Sequence, residues 1–332
     1  MRSFHGGLVA LMCAVYATPA GAADALALDN SPLRPRQSLR TRSQRYRADA
    51  VITLFSFPIY SRKGVGSGYA IEELWKQDNA SFQSLQFAAG SLPARAVGLN
   101  RLGFIQELTQ SDPGRAPETS YFGFMTESKE ESLDEARKAA KQKDSGGRYK
   151  ALVGLLRLGE ARSRVFNVDA ASADGWADWD RLLPSVRQTV QKERQTPKTT
   201  ESVQSAVPAS TGSFLSAVIS EMTSKPGTND RHFIYGKGRH RLRVERSVDP
   251  KMGRTLTEKS IASSAGRVFR LEGTVTDGGS GKKSKFRIWY EPGEESVLPL
   301  RFELQPRSFL HLVFESDAAV GRPSLSFVAS GL

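Results

Sequence analysis

Apolar and polar residues alternate in three consecutive runs between positions 286 and 315. In the first, Phe286, Ile288 and Tyr290 share one face against Arg287 and Trp289. In the second, Leu298, Leu300, Phe302 and Leu304 oppose Arg301, Glu303 and Gln305. In the third, Leu310, Leu312 and Phe314 oppose His311, Val313 and Glu315. A period of two is the pleat of a strand, and one apolar face is what a half-buried antiparallel sheet requires. Glu291-Pro292-Gly293 and Pro306-Arg307-Ser308 separate the runs, since proline presets φ and glycine permits a positive one. A three-stranded meander is the firmest expectation in the chain.

The same patterning predicts strands over 46–57, 70–75, 82–87, 99–108, 119–125 and 165–168. After an acidic and polar middle it predicts more over 232–235, 242–244, 268–275 and 324–328. The run Gly64-Val65-Gly66-Ser67-Gly68 marks a turn or a close backbone approach, and it lacks the Gly-Lys-Ser/Thr that closes a phosphate loop. Between the strand groups the period changes. Ser132-Leu133-Asp134-Glu135 has the form of a capping box before the helix formers 136–143. A second helix is expected over 148–158, with Leu152, Leu155 and Leu156 on one side. A third is expected over Trp179–Arg194 and a short one over 213–222, opened by a serine cap. Residues 193–210 read as linker. The fold class is therefore α+β, a large curved half-barrel-like antiparallel sheet with a helical middle insertion over about 128–222. Its N-terminal strands are expected to pair with the C-terminal meander in a single domain spanning 46–330.

Length and charge narrow the setting. A chain of 332 residues can bury a substantial core without cross-links. Residues 1–22 have the layout of a secretory leader: Arg2, an apolar run over 7–17, and Ala20-Gly21-Ala22 for cleavage. Cys13 is the only cysteine and falls inside that leader, so the mature chain is expected to have no disulfide and no thiol chemistry. The expected location is the periplasm or beyond the cell, with no transmembrane segment after cleavage. Removing the leader takes one arginine and no acid, which lowers the formal charge from +12 to +11. That surplus favours anionic envelope partners over nucleic acid, because no aromatic-interleaved basic motif is present. Residues 23–45 are rich in arginine and poor in apolar side chains, and read as a basic disordered arm.

Candidate chemistry is sparse. His232, His240 and His311 lack partners at metal-ligand spacing, and no Gly-x-Ser-x-Gly elbow singles out a nucleophile. No metal, cofactor or catalytic residue is expected, and the reading is of a non-enzyme. Trp176 and Trp179, three apart, either stack on a sugar or pack a core. Two residue sets remain. Phe286, Tyr290, Phe302, Leu310 and Phe314 form an apolar sheet face that either holds a lipidic chain or is simply core. Arg239, Arg241 and Arg243 alternate near Lys237 and Arg246, so a strand projects all three to one face. They either meet an anionic partner or pair with Glu245 and neighbouring acids.

Trp289-Tyr290-Glu291, an acidic turn, and Leu298-Pro299-Leu300-Arg301 resemble the C-terminal signature of an exported bacterial family catalogued as domain of unknown function 3108. The resemblance takes in the strand over 46–57 and residues 233–315, and it leaves 128–222 as an insertion. It implies an envelope location and a curved, half-barrel sheet akin to lipoprotein-carrier folds, and it carries no catalytic residues. The function expected is structural, or the binding of an apolar or anionic envelope ligand. A periplasmic hydrolase or carbohydrate-binding module is the alternative.

Overall fold

The computed structural model describes residues 37–317 apart from 55–56, 97, 128–134, 136–137, 139–146, 171–174, 195–200, 209–210, 226, 237, 294–297 and 308–309. Seven strands come first: β1 (Gln37–Leu54), β2 (Phe57–Gln77), β3 (Ala80–Ser91), β4 (Leu102–Ser111), β5 (Glu118–Thr126), β6 (Arg148–Arg157) and β7 (Gly159–Asp169). Helix α1 (Trp179–Arg194), strand β8 (Ser202–Val207) and helix α2 (Phe214–Thr223) follow. The chain then runs through β9 (Gly227–Tyr235), β10 (Gly238–Val248), α3 (Pro250–Glu258), β11 (Phe269–Asp277), β12 (Lys283–Tyr290), β13 (Arg301–Arg307) and β14 (Leu310–Ser316).

All fourteen strands form one sheet in the order β8-β7-β6-β5-β4-β3-β2-β1-β14-β13-β12-β11-β10-β9. Two meanders therefore meet where β1 pairs antiparallel with β14, from Tyr46 opposite Ser316 to Ile52 opposite Leu310. The sheet curls until its ends touch. Leu156, Ala161 and Val207 of β6–β8 pack with Ile234 of β9, and Tyr121 of β5 stacks on Tyr235 with centroids 5.5 Å apart. Gly212 bridges Phe233 in parallel, and the Ile234 N–H donates to its carbonyl at 3.0 Å. Among the described residues no ladder joins β8 to β9, so the sheet is curled but open.

What fills the curl is α2. Phe214, Ala217, Val218 and Met222 pack in one cluster with Tyr46, Ile105, Tyr121, Leu152, Phe233, Leu242, Phe286, Tyr290, Phe302 and Phe314. The opposite face of β2–β7 is covered by α1, whose Trp179, Leu182, Leu183, Val186 and Val190 meet Tyr69, Ala88, Phe104, Phe124 and Phe166. Helix α3 and the turn after it cover Trp289 on the outer face of the other meander. Close approach explains the glycine run. A Cβ on Gly66 would lie 2.4 Å from the Gly90 carbonyl oxygen, and one on Gly68 2.7 Å from that of Ala88.

Both ends of α2 are held by buried charge. Ser213 occupies the N-cap position, but its hydroxyl makes no cap bond to the helix backbone. Glu107, inward-facing on β4 and with no exposed surface, takes that place. The Leu215 N–H donates to its Oε1 at 2.7 Å and the Ser216 N–H to its Oε2 at 2.9 Å. The hydroxyls of Ser213 and Ser216 donate to the same Oε2 at 2.6 and 2.9 Å. Burial pushes the Glu107 carboxyl upward, against the pull of these bonds. At the other end Arg246 of β10, also buried, donates to the carbonyls of Glu221 and Lys225. The Glu221 side chain accepts from Asn229 at 2.9 Å and from Arg231 at 3.0 Å. A carboxyl group that accepts at the N-terminus and a guanidinium that donates at the C-terminus satisfy the orphan groups of both helix ends.

Several expectations are corrected. The large antiparallel sheet is present and curled, but the fold is mainly β where α+β was expected, with strands β6–β8 inside the stretch read as a helical insertion. Residues 148–157 of the helix expected over 148–158 form strand β6. Tyr149 and Ala151 face α1 while Leu152 faces α2, and a strand buried on both sides loses the alternation that would identify it. Strand β8 lies within the expected linker. The stretch 37–45, read as part of a disordered arm, is the first half of β1, whose backbone is paired by β2 despite its few apolar residues. The leader, residues 23–36 and the strand over 324–328 lie outside the described residues, as does most of the helix over 136–143.

Replacing Glu107 with alanine leaves the Leu215 and Ser216 N–H groups without a partner and the Ser213 and Ser216 hydroxyls only each other, which costs about 3 kcal/mol or more. Urea denaturation of E107A checks this, and a loss below about 1 kcal/mol, the value of a single ordinary hydrogen bond, would contradict the capping role.

Candidate functional site

The outer face of β9–β14 divides into two regions that differ in charge balance. One is a ladder of alternating sign. Arg47 lies 3.2 Å from Asp317 and 3.8 Å from Glu315. Arg301 lies 2.8 Å from both Glu315 and Glu303. Arg287 reaches Glu303 at 3.6 Å and Glu272 at 3.2 Å, and Arg270 reaches Glu272 at 3.5 Å and Asp249 at 3.9 Å. Trp289 donates its indole N–H to Asp249 at 3.0 Å, and the Arg301 guanidinium lies 5.6 Å from the Trp289 ring centre. Each of these cations has an acid within 4 Å, so the region is nearly neutral.

The other region is not. Arg239, Arg241 and Arg243 are all exposed on one face of β10, as their alternation predicts. Register places Arg241 beside Thr276 and Thr276 beside Lys283, and places Arg243 beside Thr274 and Thr274 beside Lys285. Two parallel rows result, Arg241–Thr276–Lys283 and Arg243–Thr274–Lys285, with both lysines exposed. Asp230 on β9 accepts from Arg241 Nε at 2.7 Å on both oxygens and is held below the usual carboxylate range chiefly by that bond. Local pairing thus satisfies Arg241 through Asp230, not through Glu245. No ion pair within 4 Å connects Arg239, Arg243, Lys283 or Lys285 to an acid among the described residues.

The base of this patch is rigid. His240, inward beneath it, faces Asp277 in register with Nδ1 3.3 Å from Oδ2, and its Nε2 lies 3.2 Å from the Tyr235 carbonyl. The ring stacks on Phe233 at 5.1 Å, and burial lowers its pKa. The Gly278 N–H donates to the Arg239 carbonyl at 2.9 Å, which ties the β11–β12 hairpin to β10.

Of the other expected site residues, Phe286, Tyr290, Phe302 and Phe314 lie together on the inner face, where α2 packs against them. Phe302 and Phe314 stack at 4.4 Å. Leu310 is partly exposed at the end of β14, opposite Ile52. Lys237 lies outside the described residues, and Arg246 points inward to α2. Trp179 is buried in the α1 cluster with Trp176 packed beside it, 5.8 Å between ring centres. Lys283 and Lys285 escaped sequence reasoning because only register across β11 brings them beside the arginines. Among the described residues no helix is long and apolar enough to cross a membrane, and no group of three or more His, Cys, Asp or Glu side chains could hold a metal ion.

No family model and no curated protein matches the chain. Among solved structures it is similar to a beta-barrel-like protein of domain of unknown function DUF1849 from Brucella abortus, at 9% identity and a TM-score of 0.41. The match covers 83% of this chain and 95% of that one.

The ladder makes a prediction of its own. Burial pushes the Glu315 carboxyl up, but the ammonium of Lys259 at 2.7 Å and the Arg301 guanidinium outweigh it and hold it below the usual range. A depressed carboxylate contributes stability above its unfolded pKa of about 4.3, and that stability is lost as pH falls through the folded value. E315Q should therefore be less stable than wild type at neutral pH, with the gap closing below pH ~4. Denaturation midpoints across that range check it, and a gap that stays constant into acid would contradict it.

Proposed function

We propose that this protein is a non-catalytic, exported envelope protein that docks on an anionic membrane surface through the outer face of β10–β12. One observation carries the reading: five exposed cations lie close together, Arg241 with Lys283 in one row, Arg243 with Lys285 in the next and Arg239 one step along β10, against two acids, Asp230 on β9 and Glu245 on the same face of β10. Elsewhere on the same sheet face each arginine of the ladder is matched by an acid, so the imbalance is local to this patch. The threonine within each row adds a hydroxyl donor between the arginine and the lysine, and the curl of the sheet leaves this face outward.

Magnitude sets the expected strength. Near an anionic surface each Lys or Arg contributes about 1 kcal/mol, so five cations less two acids leave three net charges and about 3 kcal/mol, a contact weaker than millimolar by themselves. The formal charge of +11 expected without the leader adds long-range attraction. Such binding is reversible and is screened as the Debye length shortens to ~3 Å at 1 M salt.

Co-sedimentation with vesicles containing phosphatidylglycerol tests the reading. Wild type should pellet with anionic vesicles at low salt and stay in solution with neutral vesicles or at 1 M salt, where screening is nearly complete. The variant carrying Arg239→Gln, Arg241→Gln and Arg243→Gln should lose most of that binding, about tenfold or more. Wild type that ignores anionic vesicles, or a triple variant that binds as well, would leave the rows as a solvated face.

A further inference from the structure

A second cation, remote from the basic rows, is left without an acid in a more enclosed setting. On the outer faces of β3 and β4, Ser84, Gln86 and Gln106 are buried beside α1. Register aligns Ile71, Gln86, Gln106 and Phe122 in one cross-strand row. Arg187 of α1 lies over this row. Its Nη2 donates to Gln106 Oε1 at 2.7 Å, and its guanidinium carbon sits 5.5 Å from the centre of the Phe122 ring. The amides of Gln86 and Gln106 reach Ser84 Oγ only at 3.4 Å, long bonds that a better acceptor could replace.

Among the described residues none of the polar partners of Arg187 is a carboxylate, and its Nε makes no hydrogen bond. Burial lowers its pKa, with the Tyr69 hydroxyl as the acid acting in the opposite sense. By contrast, Arg40 pairs with Glu72, Arg231 with Glu221 and Arg301 with Glu315. Withdrawing a cation from water costs several kcal/mol unless an anion is supplied. A half-buried guanidinium bonded to one neutral amide, with a second amide and a hydroxyl in the same row, is complementary to a small oxyanion, which accepts from the planar fork and from side-chain N–H and O–H groups together.

We propose that Arg187, with Gln86, Gln106 and Ser84, forms a binding site for a small oxyanion: a carboxylate, phosphate or sulfate group. The partial exposure of Arg187 gives the ion its way in from the flank of α1. This site is independent of the basic rows on β10 and β12, and either can fail without the other.

Calorimetric titration of the full chain with sodium phosphate, sodium sulfate and sodium acetate, at ionic strength matched with sodium chloride, is the test. Phosphate and acetate arms distinguish a phosphoryl source from a carboxylate one. Wild type and the Arg239→Gln, Arg241→Gln, Arg243→Gln variant should both show saturable binding of at least one oxyanion. R187M, which keeps the packing of the aliphatic stem, should bind about tenfold or more weakly, as loss of a charge-assisted hydrogen bond implies. Thermal melting gives a second readout. Sulfate stabilises proteins generally by exclusion, so only a saturable rise that follows ligand linkage and disappears in R187M counts as support. If R187M does not fold, R187K keeps the charge but not the fork and should weaken binding measurably. No saturable binding to wild type, or binding that R187M or R187K retains in full, overturns the proposal. Binding lost only with the three β10 arginines overturns it as well.

Discussion

The structure depends on a helix end buried against a carboxylate. A curled sheet of this size encloses an interior that must be filled, and α2 fills it. A helix brought into a core carries unsatisfied N–H groups at one end and carbonyls at the other, which water cannot reach. Glu107 meets the first set and Arg246 the second. These two residues sit on β4 and β10, strands that belong to different meanders. Satisfying α2 therefore fixes the distance between the two halves of the sheet. The curl is then held open-edged, with an isolated bridge at Gly212 and no β8–β9 ladder among the described residues.

The same economy of charge separates inside from outside. Where charge is buried, it is placed at a helix end or paired, as with Glu107, Arg246 and Glu221. Where it is exposed along β11–β14 and β1, signs alternate across the strands and cancel. The block on β10 and β12 breaks that rule on the surface, and Arg187 breaks it under α1.

Much of this was readable from period alone. The meander, the strands of the first half and the limits of α1 at Trp179 and Arg194 follow from local spacing. The parity of β10 even separates its arginines: 239, 241 and 243 go outward, and Arg246, in step with Leu242 and Val244, goes inward. Glu107 was readable in the same way, because it shares a face with the buried Ile105, but a lone acid in a strand pattern gives no hint of a distant helix. Two kinds of feature were hidden. Strand β6 is covered by α1 on one side and α2 on the other, so its leucines imitate a helical stripe. The basic rows and the Arg187 site arise from register between strands and from where α1 lands, and neither is encoded in a local window.

Amide hydrogen exchange across α2 tests most directly whether this helix is what the sheet closes around. Its amides, those of Leu215 and Ser216 above all, should exchange only through global unfolding, with protection equal to that of β4 and β10 and the same denaturant dependence. If α2 exchanged by local opening while β4 and β10 stayed protected, the sheet would hold its curl without the helix, and the central role of α2 would be contradicted.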